Sequence, residues 1–252
     1  METKKINDVK VRPVPLKDQT GLGKFKGSKL FKEPYGNIAI FGRKKSGKSS
    51  VVFKILKECA GKNTTVILFV STIKVDDNYK AIRQWLKDHN IACISYSSTE
   101  GDSGENHLGD LITHMQKSDD SFSSDDEKDT KETKEKVMTP AYIIVMDDLS
   151  ETELRSKPVY TLLKHNRHFK SRVIISSQDV KDITPKSMKQ IQTFLLYPNL
   201  DEERLSFVYK KAAFPTDETK FLSMYKQSTK QPFNFFYAST DGDFRHNFDQ
   251  QF

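Results

Sequence analysis

The sequence predicts a three-layer α/β fold built on a mostly parallel central sheet. Six apolar runs of strand length recur along the chain, at 37–41 (NIAIF), 65–70 (TVILFV), 91–95 (IACIS), 141–146 (AYIIVM), 172–177 (RVIISS) and 193–197 (TFLLY). Most are continuous rather than alternating, the pattern of strands covered on both faces. Helix-compatible stretches separate them, near 48–60, 78–89, 105–117, 151–168 and 185–192. Strands that alternate with helices in this way build parallel βαβ units. Beyond residue 198 the pattern changes. A helix near 201–213 carries Leu205, Val208, Tyr209 and Ala212 on one face, and a late aromatic strand runs from Phe233 to Ala238. Both are expected to pack on the edge of the sheet.

The chain has 252 residues, of which 36% are hydrophobic and 30% charged, with a net charge of +7. That length fits one domain with extensions, and the uneven charge shows where they lie. Residues 1–36 hold nine Lys/Arg against four Asp/Glu, with Pro13, Pro15 and Pro34 and no helical or strand period. Residues 1–35 are therefore expected to form a basic, extended arm ahead of a domain spanning 36–252. Residues 118–136 hold eight acids, four lysines and no aliphatic residue. They read as an acidic, disordered insertion in that domain. No apolar stretch approaches the 18 residues or so of a membrane span, and the N-terminus lacks the apolar core of a secretory signal. Cys59 and Cys93 stand alone without metal or disulfide spacing, which suggests reduced thiols and an intracellular location.

The chemistry starts at the end of the first strand. Residues 42–49 read GRKKSGKS, a match to G-x-x-x-x-G-K-[ST], with an apolar strand before it and a helix-compatible run after it. This is the setting of a phosphate-binding P-loop. Gly42 and Gly47 let the backbone turn its N–H groups inward, and Lys45, Ser46, Ser49 and Ser50 complete the loop and the first helical turn. Lys48 reaches the β- and γ-phosphates of a nucleotide, and the Ser49 hydroxyl takes Mg²⁺.

Three further elements follow in order. IIVMDDL, 143–149, is an apolar strand ending on two carboxylates, in the manner of a Walker B strand. Asp147 is placed to hold Mg²⁺, and Asp148 either to polarise the attacking water or to cap the helix near Ser150. VIISSQ, 173–178, ends in Gln178, an amide that suits sensing of a γ-phosphate or its water, unless it is simply a solvent-facing strand end. Arg167, in LLKHNRHFKS, either reaches a neighbouring subunit's site or is a surface residue at a helix C-terminus, where the dipole favours it. Arg155, Arg172 and Arg204 compete for that role. Residues 150–190 hold nine basic and four acidic residues, a net +5 that suits phosphate-backbone contact without base reading.

Together, GRKKSGKS, the Asp147-Asp148 pair, Arg167-His168, the SSQ strand end and the late FNFFY segment occur in an order that resembles the FtsK–HerA superfamily. The likeness is strongest to the genome-packaging ATPases of poxviruses, giant viruses and virophages, over roughly residues 36–240. It implies a RecA-like (ASCE) P-loop fold and an ATP- and Mg²⁺-dependent motor that drives double-stranded DNA into a capsid. It also implies a homo-oligomeric ring, a pentamer or hexamer, with capsid or portal proteins as further partners. The location implied is the host cytoplasm or viral factory, with association to the virion. On this resemblance Asp148 takes the base role, Gln178 the sensor role and Arg167 the trans-acting finger. Many superfamily members outside that branch carry Glu where Asp148 stands. Two other readings compete: a P-loop kinase acting on a nucleoside or nucleotide, and a nucleotide-gated DNA-binding scaffold. The chain has no N-K-x-D base-reading motif and no LSGGQ-type segment, which argues against GTPase and ABC-type chemistry.

Overall fold

The computed structural model describes residues 24–101, 103–121 and 137–252. Its centre is a parallel sheet of β1 (Asn37–Phe41), β2 (Thr65–Val70), β3 (Ala92–Tyr96), β4 (Tyr142–Asp147), β5 (Ser171–Ser177) and β6 (Thr193–Leu196). An antiparallel extension follows, made of β7 (Phe236–Ser239), β8 (Phe244–His246) and β9 (Gln250–Gln251). The spatial order is β3-β2-β4-β5-β1-β6-β7-β8-β9. All six sequence-derived parallel strands form, each within one residue of its expected ends.

The period of two along each strand divides the core between two faces. Ile38, Ile40, Val66, Leu68, Ile143, Val145 and Ile174 face one layer, with α1 (Lys48–Cys59) and α2 (Asp77–Asp88). Ala39, Phe41, Ile67, Phe69, Ile144, Met146, Val173 and Ile175 face the other. That layer holds α3 (His107–Ser121), α5 (Lys157–His165), α6 (Pro185–Met188), α7 (Glu202–Ala212) and α8 (Glu218–Ser228). The result is the expected three-layer sandwich.

Several local expectations change. The single helix expected over 151–168 is two, α4 (Glu151–Leu154) and α5. Pro158 causes the break: it has no N–H to donate to an earlier carbonyl and is tolerated in the first turn of a new helix. The arm ends earlier than residue 35. From Phe25, which bridges to Met138, the chain is folded onto the body, and Leu30 and Phe31 are buried in the α1–α2 layer. Lysines on either side hide this short apolar pair from a composition-based reading. Residues 1–23 and 122–136, the bulk of the arm and of the acidic insertion, lie outside the described residues, and α3 runs to Ser121, inside the expected insertion. Helix α8 was not anticipated. Asp217 caps it, and Phe221, Met224 and Tyr225 bury one face. Among the described residues no helix is long and apolar enough to cross a membrane.

Both cysteines are free thiols. Burial pushes the Cys93 thiol up to about 11 and raises that of Cys59 as well. Since only the thiolate reacts, alkylation of the native protein at pH 8 should run about 10²-fold slower than that of free cysteine. Denaturant should restore the ordinary rate. Alkylation of either thiol at the free-cysteine rate in the folded protein would contradict this burial.

Candidate nucleotide site

The site is assembled at one edge of the sheet, where β1, β4 and β5 all end. Register brings their ends together. Phe41 lies opposite Ser177, and Asp147 lies between Val70 and Ser176. The Gly42 N–H donates to the Ser177 carbonyl at 3.2 Å, fixing the start of the phosphate loop against the end of β5. Strand β5 separates β1, which carries the loop, from β4, which carries the acids.

The loop conformation explains its glycines. A Cβ on Gly42 would stand 2.6 Å from Cβ of Tyr197, so the backbone passes the next strand with no room for a side chain. Gly47 has φ +101° and caps α1, and Lys45 is also left-handed at φ 63°. Alternating backbone of this kind turns successive N–H groups to one side and makes an anion-binding nest at the positive end of a twelve-residue helix. The Lys48 ammonium donates to the carbonyls of Gly42 at 2.7 Å and Arg43 at 3.1 Å. Burial lowers its pKa, while the Asp147 and Asp148 carboxylates oppose that shift.

Asp147 ends β4 and is 6% exposed. Its Oδ2 accepts a 2.6 Å hydrogen bond from the Tyr79 hydroxyl. Burial raises its pKa above the usual carboxylate range, against the pull of this hydrogen bond and of Lys48. Asp148 follows with φ 54°, turning its exposed carboxylate into the cleft. It does not cap the next helix. Ser150 does, in a reciprocal capping box with Glu153. The Gln178 amide donates to Asp148 Oδ1 at 2.9 Å, so the two polar strand ends meet across β4 and β5.

A cleft of about 510 Å³ gathers Lys44 through Ser50, Asp147, Asp148 and Gln178. Every phosphate-site residue read from the sequence except Gly42 and Arg167 lines it, and Gly42 lies beneath it as the hinge of the loop. Arg167 lies elsewhere. It sits in the turn leading into β5, so the length of that strand, roughly 20 Å, separates it from Gln178. There it pairs with Glu33 at 2.9 Å. Its competitors are also engaged. Arg172 is fully buried, its guanidinium stacked on Phe31 at 4.2 Å and donating to the Glu33 and Pro34 carbonyls. Arg204 is tied to Asp179 and Asp201. Arg155, on the nucleotide edge, pairs with Glu151 and donates to the Lys181 carbonyl.

Sequence reasoning missed Tyr79, Thr72, Asp76 and Phe233. Tyr79 shares the buried face of α2 with Ile82 and Leu86 at helical spacing, so it reads as core. Only its hydroxyl signals more. Thr72 and Asp76 belong to the loop after β2 and line the cleft from its far side.

A family model described as the Poxvirus A32 protein matches residues 22–234. No curated protein sequence matches at a significant level. Among solved structures, the chain is similar to the genome packaging NTPase B204 from Sulfolobus turreted icosahedral virus 2 in its complex with AMPPCP. That likeness has a TM-score of 0.57 at 15% identity, covering 85% of this chain and 98% of that one. It is likewise similar to B204, the DNA-packaging ATPase from Sulfolobus turreted icosahedral virus, with a TM-score of 0.55 at 15% identity and coverage of 85% and 97%. These likenesses bear out the α/β P-loop fold with its mostly parallel sheet. The family resemblance read from GRKKSGKS, the paired acids and the SSQ strand end is upheld by a match spanning most of the chain: this protein belongs to the Poxvirus A32 protein family.

Proposed function

We propose that this chain is a viral DNA-packaging ATPase, coupling ATP hydrolysis to movement of double-stranded DNA. The observation that carries the reading is the single cleft in which the phosphate loop faces Asp147, Asp148 and Gln178. Paired carboxylates facing a P-loop suit hydrolysis, in which water must be deprotonated as it attacks. The loop N–H groups and Lys48 hold the phosphates. Ser49 and Asp147 are the groups that would hold Mg²⁺. A buried carboxylate beside a half-buried hydroxyl fits that ion, which keeps most of its waters and takes only one or two protein ligands. Bound there, Mg²⁺ would neutralise charge on the β- and γ-phosphates. Asp148 accepts the proton of the attacking water, and Gln178 orients that carboxylate. Asp148→Asn should lower kcat by about 10²–10⁴-fold with little change in ATP affinity. Unchanged turnover would remove Asp148 from the base role.

DNA is met by phosphate contacts. Lys157, Lys164, Lys186 and Lys189 are exposed between 150 and 190, whereas Arg172, counted in the same basic region, is buried and cannot take part. The working form is a homo-oligomeric ring that acts with a capsid or portal, and Arg167 supplies positive charge to a neighbour's site. Mixing Arg167→Ala with Lys48→Ala subunits tests the last point. Mixed rings that form but regain no activity would pass the role to Arg155, which stands on the nucleotide edge.

The deciding experiment is ATP hydrolysis with and without double-stranded DNA, for the wild-type chain and Lys48→Ala. Stimulation by DNA that fades as salt rises, and that Lys48→Ala abolishes, supports a DNA motor. A phosphorylated small-molecule product would replace it with a kinase.

A further inference from the structure

We propose that Phe233 is the base-stacking platform of the nucleotide site, so that the cleft takes a purine nucleoside triphosphate with its ring system against this side chain. The proposal rests on the reading of the cleft as an ATP site and adds to it the end that holds the base. Phe233 is 67% exposed, the most exposed aromatic among the described large hydrophobic residues. It has a left-handed backbone, φ 67°, which a bulky aromatic residue adopts only when its surroundings hold it there. The segment that follows it is held. The Asn247 side chain accepts from the Phe235 N–H at 3.0 Å and donates to the Asn234 side chain. An exposed ring fixed in a disfavoured conformation, with no core contact to account for it, points to use.

Its position matches the direction of a bound nucleotide. The sheet order puts the acids of β4 on one side of β1 and the β6–β7 pair on the other. A triphosphate lying along the loop with its γ end at Asp147 and Asp148 therefore projects its base toward β6 and β7. Phe233 stands there, three residues before β7. It lines the phosphate cleft and also an adjoining cavity of about 420 Å³ that continues past the loop, beside Arg43, Asn199 and Lys230. Its ring edge lies 3.5 Å from where a Cβ on Gly47 would be. A second observation marks the same end of the loop. Tyr197 is fully buried, its hydroxyl has no hydrogen-bond partner, and that oxygen lies 3.7 Å from the same Gly47 point. The loop thus ends at an exposed aromatic face that lines both cavities, a surface suited to a base rather than to more phosphate, with the Tyr197 hydroxyl buried behind the loop.

Stacking on an aromatic face needs only the π surface of the base. Calorimetric titration of the full chain with ATP and with inorganic tripolyphosphate isolates that contribution. Phe233→Gly removes the ring and relieves the left-handed backbone, so the fold should be at least as stable as the parent's, checked by melting temperature. The expected result is an ATP dissociation constant about tenfold weaker, tripolyphosphate binding unchanged, and near-parental ATP affinity in Phe233→Tyr. ATP binding unchanged in Phe233→Gly would overturn the platform. So would equal losses for ATP and tripolyphosphate, which would mean that the ring supports the loop rather than the base. A wild-type chain that binds neither ligand would overturn the ATP-site reading itself, an outcome distinct from both.

Discussion

Lys48→Ala lowers kcat/KM for ATP by at least about 10²–10³-fold while leaving the melting temperature close to the parent's. Burial lowers the pKa of the Lys48 ammonium, and the Asp147 and Asp148 carboxylates at the end of β4 oppose that shift. The ammonium supplies charge where the γ-phosphate must sit. Its structural contribution is small. It donates to two loop carbonyls, of which that of Arg43 belongs to an exposed residue that water can reach. A half-buried cation also carries a desolvation penalty that the alanine removes. Steady-state hydrolysis with thermal melting checks both halves. A large fall in melting temperature would mean that the lysine holds the loop together instead.

Asp147→Asn should separate activity from stability in the opposite direction. Hydrolysis should fall by about 10²-fold or more, because the amide has no charge to offer a divalent ion. The folded protein should gain about 0.5–2 kcal/mol at neutral pH, the usual size of a single stabilising substitution. Burial raises the folded-state pKa of Asp147. Native protein therefore binds this proton more tightly than the unfolded chain, and the stability so gained is full at acid pH and is lost as pH rises through the raised value. Asparagine keeps the shape and the acceptor for the Tyr79 hydroxyl and has no such loss. The advantage of the variant should thus shrink as pH falls and the native carboxyl becomes protonated. Denaturant melts across pH 4–8, on the order of the carboxylate range and above, would test this. A gain that does not depend on pH would refute the burial argument.

The parallel sheet was legible because all of its strands but the edge strand β3 are buried on both faces, so TVILFV or YIIVMD reads as strand without any period. The phosphate loop was legible because its chemistry needs fixed spacing in sequence. What escaped notice depends on neighbours distant in sequence. Arg172 lies in a strand and carries a charge, and only the packing of Phe31 onto β5 shows that its guanidinium is interior. Tyr79 contributes a hydroxyl that counts only once β4 places Asp147 2.6 Å away. The break before α5 was written in Pro158 but overridden by the apolar period around it. Strands β8 and β9 hold three and two residues, too few for any period to emerge.

The position of β5 between β1 and β4 also bears on how the protein is made. Strand β1 is the first to leave the ribosome, yet its only neighbours are β5 and β6, whose residues begin 134 and 156 positions later. Meanwhile β2, β3 and β4 can pair as they appear. Pairing across such a separation is slow because a long loop must close before any contact rewards it. The nucleotide site is therefore completed only after β2, β3 and β4 can have paired, although its loop is translated before all of them. A nascent chain that stops before Ser171 carries the entire GRKKSGKS sequence on a strand with nothing beside it.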